Sequence, residues 1–125
     1  MRYIGTLVIL FLIGFSSCSK EANDLFAFDL AEGEIQMLYN ETQCADPWYD
    51  TEVLDSTGSQ DQKLSKLLDY LNQIGVNVLA AGYEFNEANA LACLECHCQT
   101  GGVYLIKVYE DQNVIQTLKQ LGFIQ

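Results

Sequence analysis

The densest group of reactive side chains lies late in the chain, where Cys93-Leu94-Glu95-Cys96-His97-Cys98 brings three thiols together with the protein's one histidine. A fourth thiol, Cys44, stands far upstream beside the sole proline, Pro47, and the sole tryptophan, Trp48. Residues of these types support three chemistries. Soft thiolates and an imidazole hold zinc or copper. A Cys-x-x-Cys pair cycles between dithiol and disulfide where a helix start lowers one thiol pKa. Four thiols in an oxidising compartment join in pairs.

Pairing is the reading we favour. Two connectivities avoid a strained Cys96–Cys98 ring: Cys44–Cys98 with Cys93–Cys96, and Cys44–Cys96 with Cys93–Cys98. The first is preferred, because Cys98 is nearest the strand that follows. Either bond from Cys44 needs Cα atoms about 4.4 to 6.8 Å apart. Closing so long a loop stabilises the fold by roughly 3 to 4 kcal/mol in the chain-entropy account.

Haem is the competing cofactor. Cys93-Leu94-Glu95-Cys96-His97 matches the c-type attachment motif, in which two thiols bond the vinyl groups and the histidine ligates iron. The chain resembles a cytochrome over these five residues alone. No methionine follows them, Met37 being the only one after Met1, and Cys98 would be an idle thiol beside the iron. The metal alternative uses Cys44, Cys93, Cys96, Cys98 and His97 as donors. The flanks predict a loop between strands rather than a helix start, which disfavours a redox pair.

An even thiol count requires that Cys18 be occupied otherwise, and the amino terminus supplies the means. Met1-Arg2-Tyr3 is a short basic start, and Ile4 to Phe15 is a twelve-residue run without charge. That is an export segment by length and polarity. It falls short of the ~20 apolar residues needed to span a bilayer. Small residues follow, and Phe15-Ser16-Ser17-Cys18 resembles the lipobox of bacterial lipoproteins, with Phe15 where leucine is more usual. The resemblance implies removal of residues 1–17 and a diacylglyceryl group on the Cys18 sulfur, commonly with a further acyl chain such as palmitate on the new amino terminus. Two or three acyl chains hold a soluble domain at a bilayer, where one chain is marginal. The implied location is the bacterial cell envelope, lipid-anchored outside the cytoplasm, with the outer membrane preferred.

The positioning elements can be read from periodicity. Residues 18–33 form a lipidated tether, although Leu25, Phe26, Phe28 and Leu30 suggest that its second half packs. A single domain then covers residues 34–125. Ile35, Met37 and Tyr39 alternate as in a strand. Glu41 to Gly58 reads as a long loop pinned by Cys44, with Trp48 a plug at the core edge. Ser59 and Gln62 make a capping box before the stripe Leu64, Leu67, Leu68, Leu71 and Ile74, and Gly75 stops the helix. Val76 to Phe85 and Val103 to Tyr109 are rich in strand formers. Asp111 caps a second helix carrying Val114, Ile115, Leu118 and Leu121, ended by Gly122. Residues 68–76 and 115–123 echo each other in their apolar positions and their glycine.

This order predicts an α+β fold, a small ferredoxin-like split β-α-β sandwich with two helices on one face of an antiparallel sheet of three to four strands. The last strand would be short, at residues 123–125. In that topology Cys44 meets the cysteine-rich loop. The other face can stay open, and Tyr39, Tyr83, Tyr104 and Tyr109 are candidates for it.

Charge bounds the partners. The formal net charge is −11, and loss of Arg2 with the leader makes it −12. Such a field repels nucleic acid and anionic lipid. No second histidine is available as a base, no carboxylate spacing singles out an acid and base pair, and no phosphate-cradling loop occurs. Gly101-Gly102 reads as the turn into a strand. The expectation is no enzyme: no catalytic residue, no metal and no resident cofactor. The chain reads as a disulfide-stabilised binding or structural module, attached to the membrane by its lipid and open to a protein partner in the envelope.

Overall fold

The computed structural model describes residues 27–49, 58–90 and 95–125. The expected export segment, Cys18 and Cys93 lie outside them. The elements run β1 (Glu34–Thr42), α1 (Gln60–Gln73), β2 (Ala80–Phe85), a single 3₁₀ turn (Glu87–Asn89), β3 (Gln99–Tyr109) and α2 (Gln112–Leu121).

Local chemistry sets both helices. The Ser59 hydroxyl accepts the Gln62 N–H at 3.3 Å, and the Gln62 side chain accepts the Ser59 N–H at 3.0 Å, closing the box that begins α1. At α2 the Asp111 carboxylate accepts the N–H groups of Asn113 and Val114 at 2.8 and 3.1 Å. Each helix ends at a glycine with positive φ, +84° at Gly75 and +107° at Gly122. There the next N–H turns back, from Val76 to the Leu71 carbonyl at 2.9 Å and from Phe123 to the Leu118 carbonyl at 3.0 Å. This closure drops Val76 and Phe123 into the core. The echo between the two segments is thus the same end structure made twice.

Two strand boundaries differ from the periodicity. β2 begins at Ala80 rather than Val76, because Val76 is still bonded to the helix end. β3 begins at Gln99, so Gly101 and Gly102 are strand residues rather than a turn. The strands form one antiparallel sheet in the order β1-β3-β2. Met37 lies opposite Ile106 and Tyr39 opposite Tyr104, while on the other side of β3 Ala81 and Tyr83 meet the same two residues.

That register gathers one apolar face. Met37, Tyr39, Tyr104, Ile106 and Val108 are buried there with Leu67 and Leu71 of α1 and Leu118 of α2. Leu68 and Ile74, expected in the apolar stripe of α1, are exposed instead. The class is α+β, with two helices and a three-stranded sheet. A fourth strand does not form at residues 123–125: Ile124 and Leu38 exchange two hydrogen bonds of 2.8 Å in one isolated bridge.

The opposite face carries Leu38, Val103, Leu105 and Lys107 by strand alternation, with Val103 and Leu105 buried. Residues 28–34 attach at the start of β1. The Phe28 N–H donates to Gln36 Oε1 at 2.8 Å, and Lys107 Nζ reaches the Asp29 carbonyl at 3.3 Å and the Glu34 carboxylate at 3.0 Å. Phe28 and Asp29 of the segment following Cys18 are therefore bonded to the sheet, whereas Leu30, expected to pack, is exposed, and Leu25 and Phe26 lie outside the described residues.

Candidate functional site

Of the sequence-predicted site residues, Cys44, Cys96, His97 and Cys98 come together where β1 ends and β3 begins, while Cys18 and Cys93 lie outside the described residues. Beyond an irregularity at Asn40/Thr42 the register puts Thr42 opposite Gln99. The two backbones stay in contact past the strands, with the Gln43 N–H donating to the Cys98 carbonyl at 2.9 Å and the Cys44 N–H to the Cys96 carbonyl at 3.2 Å. Cys44 and Cys96 are joined by a disulfide, their Cα atoms 4.6 Å apart.

This corrects the favoured connectivity. Cys98 is nearer to β3 in sequence, but the ladder sets it against Gln43, whereas Cys44 lies one step further along, at the turn. Cys98 is buried and disulfide-bonded as well, to a residue outside those described. The haem reading loses its chemistry here, since Cys96, its sulfur held by Cys44, has no thiol to add across a haem vinyl group while that bond persists. With Cys44, Cys96 and Cys98 oxidised, the donor set for zinc or copper also lacks those three thiolates. His97 is exposed on the turn.

The same end of the sheet holds a polar cluster that sequence reasoning missed. Glu41 is 1% exposed, and its carboxylate accepts five donors. Oε1 receives Thr100 Oγ1 at 2.7 Å, Lys63 Nζ at 3.0 Å and the Tyr83 hydroxyl at 3.2 Å. Oε2 receives the hydroxyls of Tyr104 at 3.0 Å and Tyr49 at 3.3 Å. The donors come from α1, both strands flanking the cluster, and the loop after β1. One signal existed: Glu41 continues the parity of Ile35, Met37 and Tyr39, which places it on the inner face.

Gly102 makes room for this cluster. A Cβ at that position would lie 2.7 Å from Tyr83 Cζ and 2.8 Å from Cε2, so only glycine lets the Tyr83 ring lie across β3. Tyr39, Tyr83 and Tyr104 therefore face the helices rather than an open face of the sheet, and Tyr109 alone of the four is exposed. Burial works against the Lys63 charge, but the Glu41 carboxylate outweighs it and holds that ammonium above its ordinary pKa. Burial and the Glu41 charge push the hydroxyls of Tyr104, Tyr49 and Tyr83 up.

A second buried carboxyl lies in the disulfide-pinned loop. Asp46 is 3% exposed. Its Oδ1 accepts Thr42 Oγ1 at 2.7 Å, the Thr42 N–H at 2.9 Å and the Tyr39 hydroxyl at 3.1 Å. Among the described residues its Oδ2 is buried with no partner, as is Nε1 of Trp48 two residues on. Burial raises the Asp46 pKa to about 6; the hydrogen bonds from Thr42 and Tyr39 oppose the rise, and the Glu41 charge adds to it. The loop turns back on itself through Tyr49 N–H to the Asp46 carbonyl at 3.1 Å. Trp48 plugs the core, its ring centroid 4.6 Å from Tyr39 and 5.3 Å from Tyr104.

Among the described residues no three His, Cys, Asp or Glu side chains converge as a metal site, and no helix is long and apolar enough to cross a membrane. The chain matches no known protein family, no curated protein and no solved structure.

Proposed function

We propose that this chain is a bacterial lipoprotein, exported, cut before Cys18 and held at the envelope by lipid on that residue, where its domain serves as a disulfide-stabilised binding or structural module. The observation that carries the reading is the Cys44–Cys96 bond. Stable disulfides belong to compartments outside the reducing cytoplasm, which is where the uncharged run Ile4 to Phe15 would send the chain. Phe15-Ser16-Ser17-Cys18 then supplies an anchor, and pairing of Cys93 with Cys98 uses the remaining thiols.

Work by binding rather than turnover is supported by the Glu41 cluster. Both carboxylate oxygens are saturated by five donors, so no lone pair points outward to take a proton from a substrate. The strand order β1-β3-β2, with one helix crossing between β1 and β2 and the other following β3, agrees with three strands of a ferredoxin-like split β-α-β arrangement. The partner on this reading is a protein of the envelope, besides the membrane itself, and not nucleic acid.

Cell fractionation of a tagged full-length chain tests the anchor. The wild type is expected in the membrane fraction, with an intact mass carrying diacylglycerol and lacking residues 1–17, while Cys18→Ser moves to the soluble exported fraction or stays uncut. Membrane attachment that survives Cys18→Ser would end the lipid reading.

A further inference from the structure

We propose that Asp46 is an acid-operated latch: as a neutral carboxyl it seals the Cys44–Tyr49 loop and its Trp48 plug against the core, and on ionisation it gives up that seal.

The argument is one of charge balance inside a closed cluster. Among the described residues two carboxyls, Glu41 and Asp46, are buried at this end of the sheet, and one ammonium, Lys63, reaches the first of them. Lys63 is spent on Glu41 at 3.0 Å. The groups facing Asp46 are Tyr39 and Thr42 of β1, with the Glu41 charge adding to their field. Around them stand Tyr49 in the loop, its ring 6.0 Å from Lys66 Nζ, and Tyr104 of β3, bonded to Tyr49 at 3.2 Å. Among the described residues no cation is in the groups acting on Asp46, and Glu41 opposes its ionisation.

Its two oxygens differ in the same sense. Oδ1 accepts three donors that draw the loop to β1, while Oδ2 is buried with none. A bare oxygen is tolerable on a neutral acid and costly on a carboxylate. The raised pKa of Asp46, about 6, follows from the same burial. Ionisation sends the proton to bulk water and leaves a charge that the Thr42 and Tyr39 hydrogen bonds to Oδ1 stabilise only in part; hydrating Oδ2 supplies the rest, and that requires the loop to lift. Cys44–Cys96 holds the loop's near end in place, so lifting moves the far end, where Trp48 sits. Trp48 and Tyr49 also wall an open cleft of about 330 Å³ against Lys66 and Tyr70, so the latch would reshape that surface.

Trp48 is the sole tryptophan and reports the latch directly. The purified, oxidised protein is titrated while acrylamide quenching of its fluorescence and the ¹³C shift of the Asp46 carboxyl are followed. The expected result is a carboxyl midpoint between pH 5.5 and 6.5, with quenching two- to threefold stronger at pH 7.5 than at pH 5. Asp46→Asn should abolish the step in quenching, whereas His97→Gln, which removes the protein's one histidine, should keep it. A carboxyl midpoint below pH 4.5, quenching of the wild type that does not change with pH, or a step that persists in Asp46→Asn would each overturn the proposal. The carboxyl titration is read on the wild type and so decides the matter even where Asp46→Asn fails to fold.

Discussion

Glu41 and Asp46 are five residues apart, both are buried, and both lie at the disulfide end of the sheet, yet they are opposites in chemistry. Glu41 sits in a finished shell: five donors, one of them an ammonium, divide between its two oxygens. Asp46 has three donors on one oxygen and none on the other, with no cation. The contrast shows that burial alone does not fix the state of a carboxyl. What decides it is whether distant elements deliver partners, and Glu41 draws them from α1, β2, β3 and the loop, whereas Asp46 has only β1.

The largest expected effect comes from breaking the finished shell. Lys63→Met leaves the Glu41 carboxylate buried without its cation and should destabilise the fold by about 3 to 5 kcal/mol in chemical denaturation. Adding Glu41→Gln to Lys63→Met should recover a substantial part of that loss; no recovery would mean that the cluster's worth lies in packing rather than charge. Next comes the bond that holds the two regions together. Replacing Cys44 and Cys96 by serine is expected to cost about 2 to 4 kcal/mol, read as a lower denaturation midpoint.

The unfinished shell should show itself as pH dependence. The folded chain holds the Asp46 proton up to about pH 6, whereas an unfolded aspartate releases it near 3.9. The neutral group's stabilisation is therefore complete below about pH 4 and is lost as pH rises towards and through about 6. The loss should come to about 2 kcal/mol between pH 4.5 and pH 7.5, and Asp46→Asn should flatten it. The smallest effect sharpens the contrast from the other side. Tyr49→Phe removes the longest of Glu41's hydrogen bonds, 3.3 Å, and should cost about 1 kcal/mol or less, because Tyr104 still serves the same oxygen.

Local signals in the sequence were sufficient where the structure is local. Ser59 with Gln62, Asp111, Gly75 and Gly122 mark the helix ends within four residues of the bonds they make. The start of β3 was illegible because Gln99-Thr100-Gly101-Gly102 has little strand propensity of its own; it is extended by its neighbours, Thr42 on one side and Phe85 on the other. The convergence of Cys44 with the later cysteines followed from topology, but the choice between Cys96 and Cys98 turns on a one-residue register that no propensity encodes. Glu41 was hidden for a similar reason. Its donors Lys63, Tyr83, Thr100 and Tyr104 lie 22 to 63 residues away, and nothing in the residues around Glu41 announces them.

The attachment of Phe28 and Asp29 to Gln36 and Lys107 bears on how far the domain can travel. For a chain tied to a bilayer at Cys18, only the stretch from residue 19 to residue 27 separates the lipid from the first anchored amide. At about 3.3 to 3.6 Å per residue its full contour is on the order of 30 Å, close to the diameter of a domain this size. On the lipid-anchor proposal, such a leash would keep the tied end of the domain within about one body-width of the lipid surface.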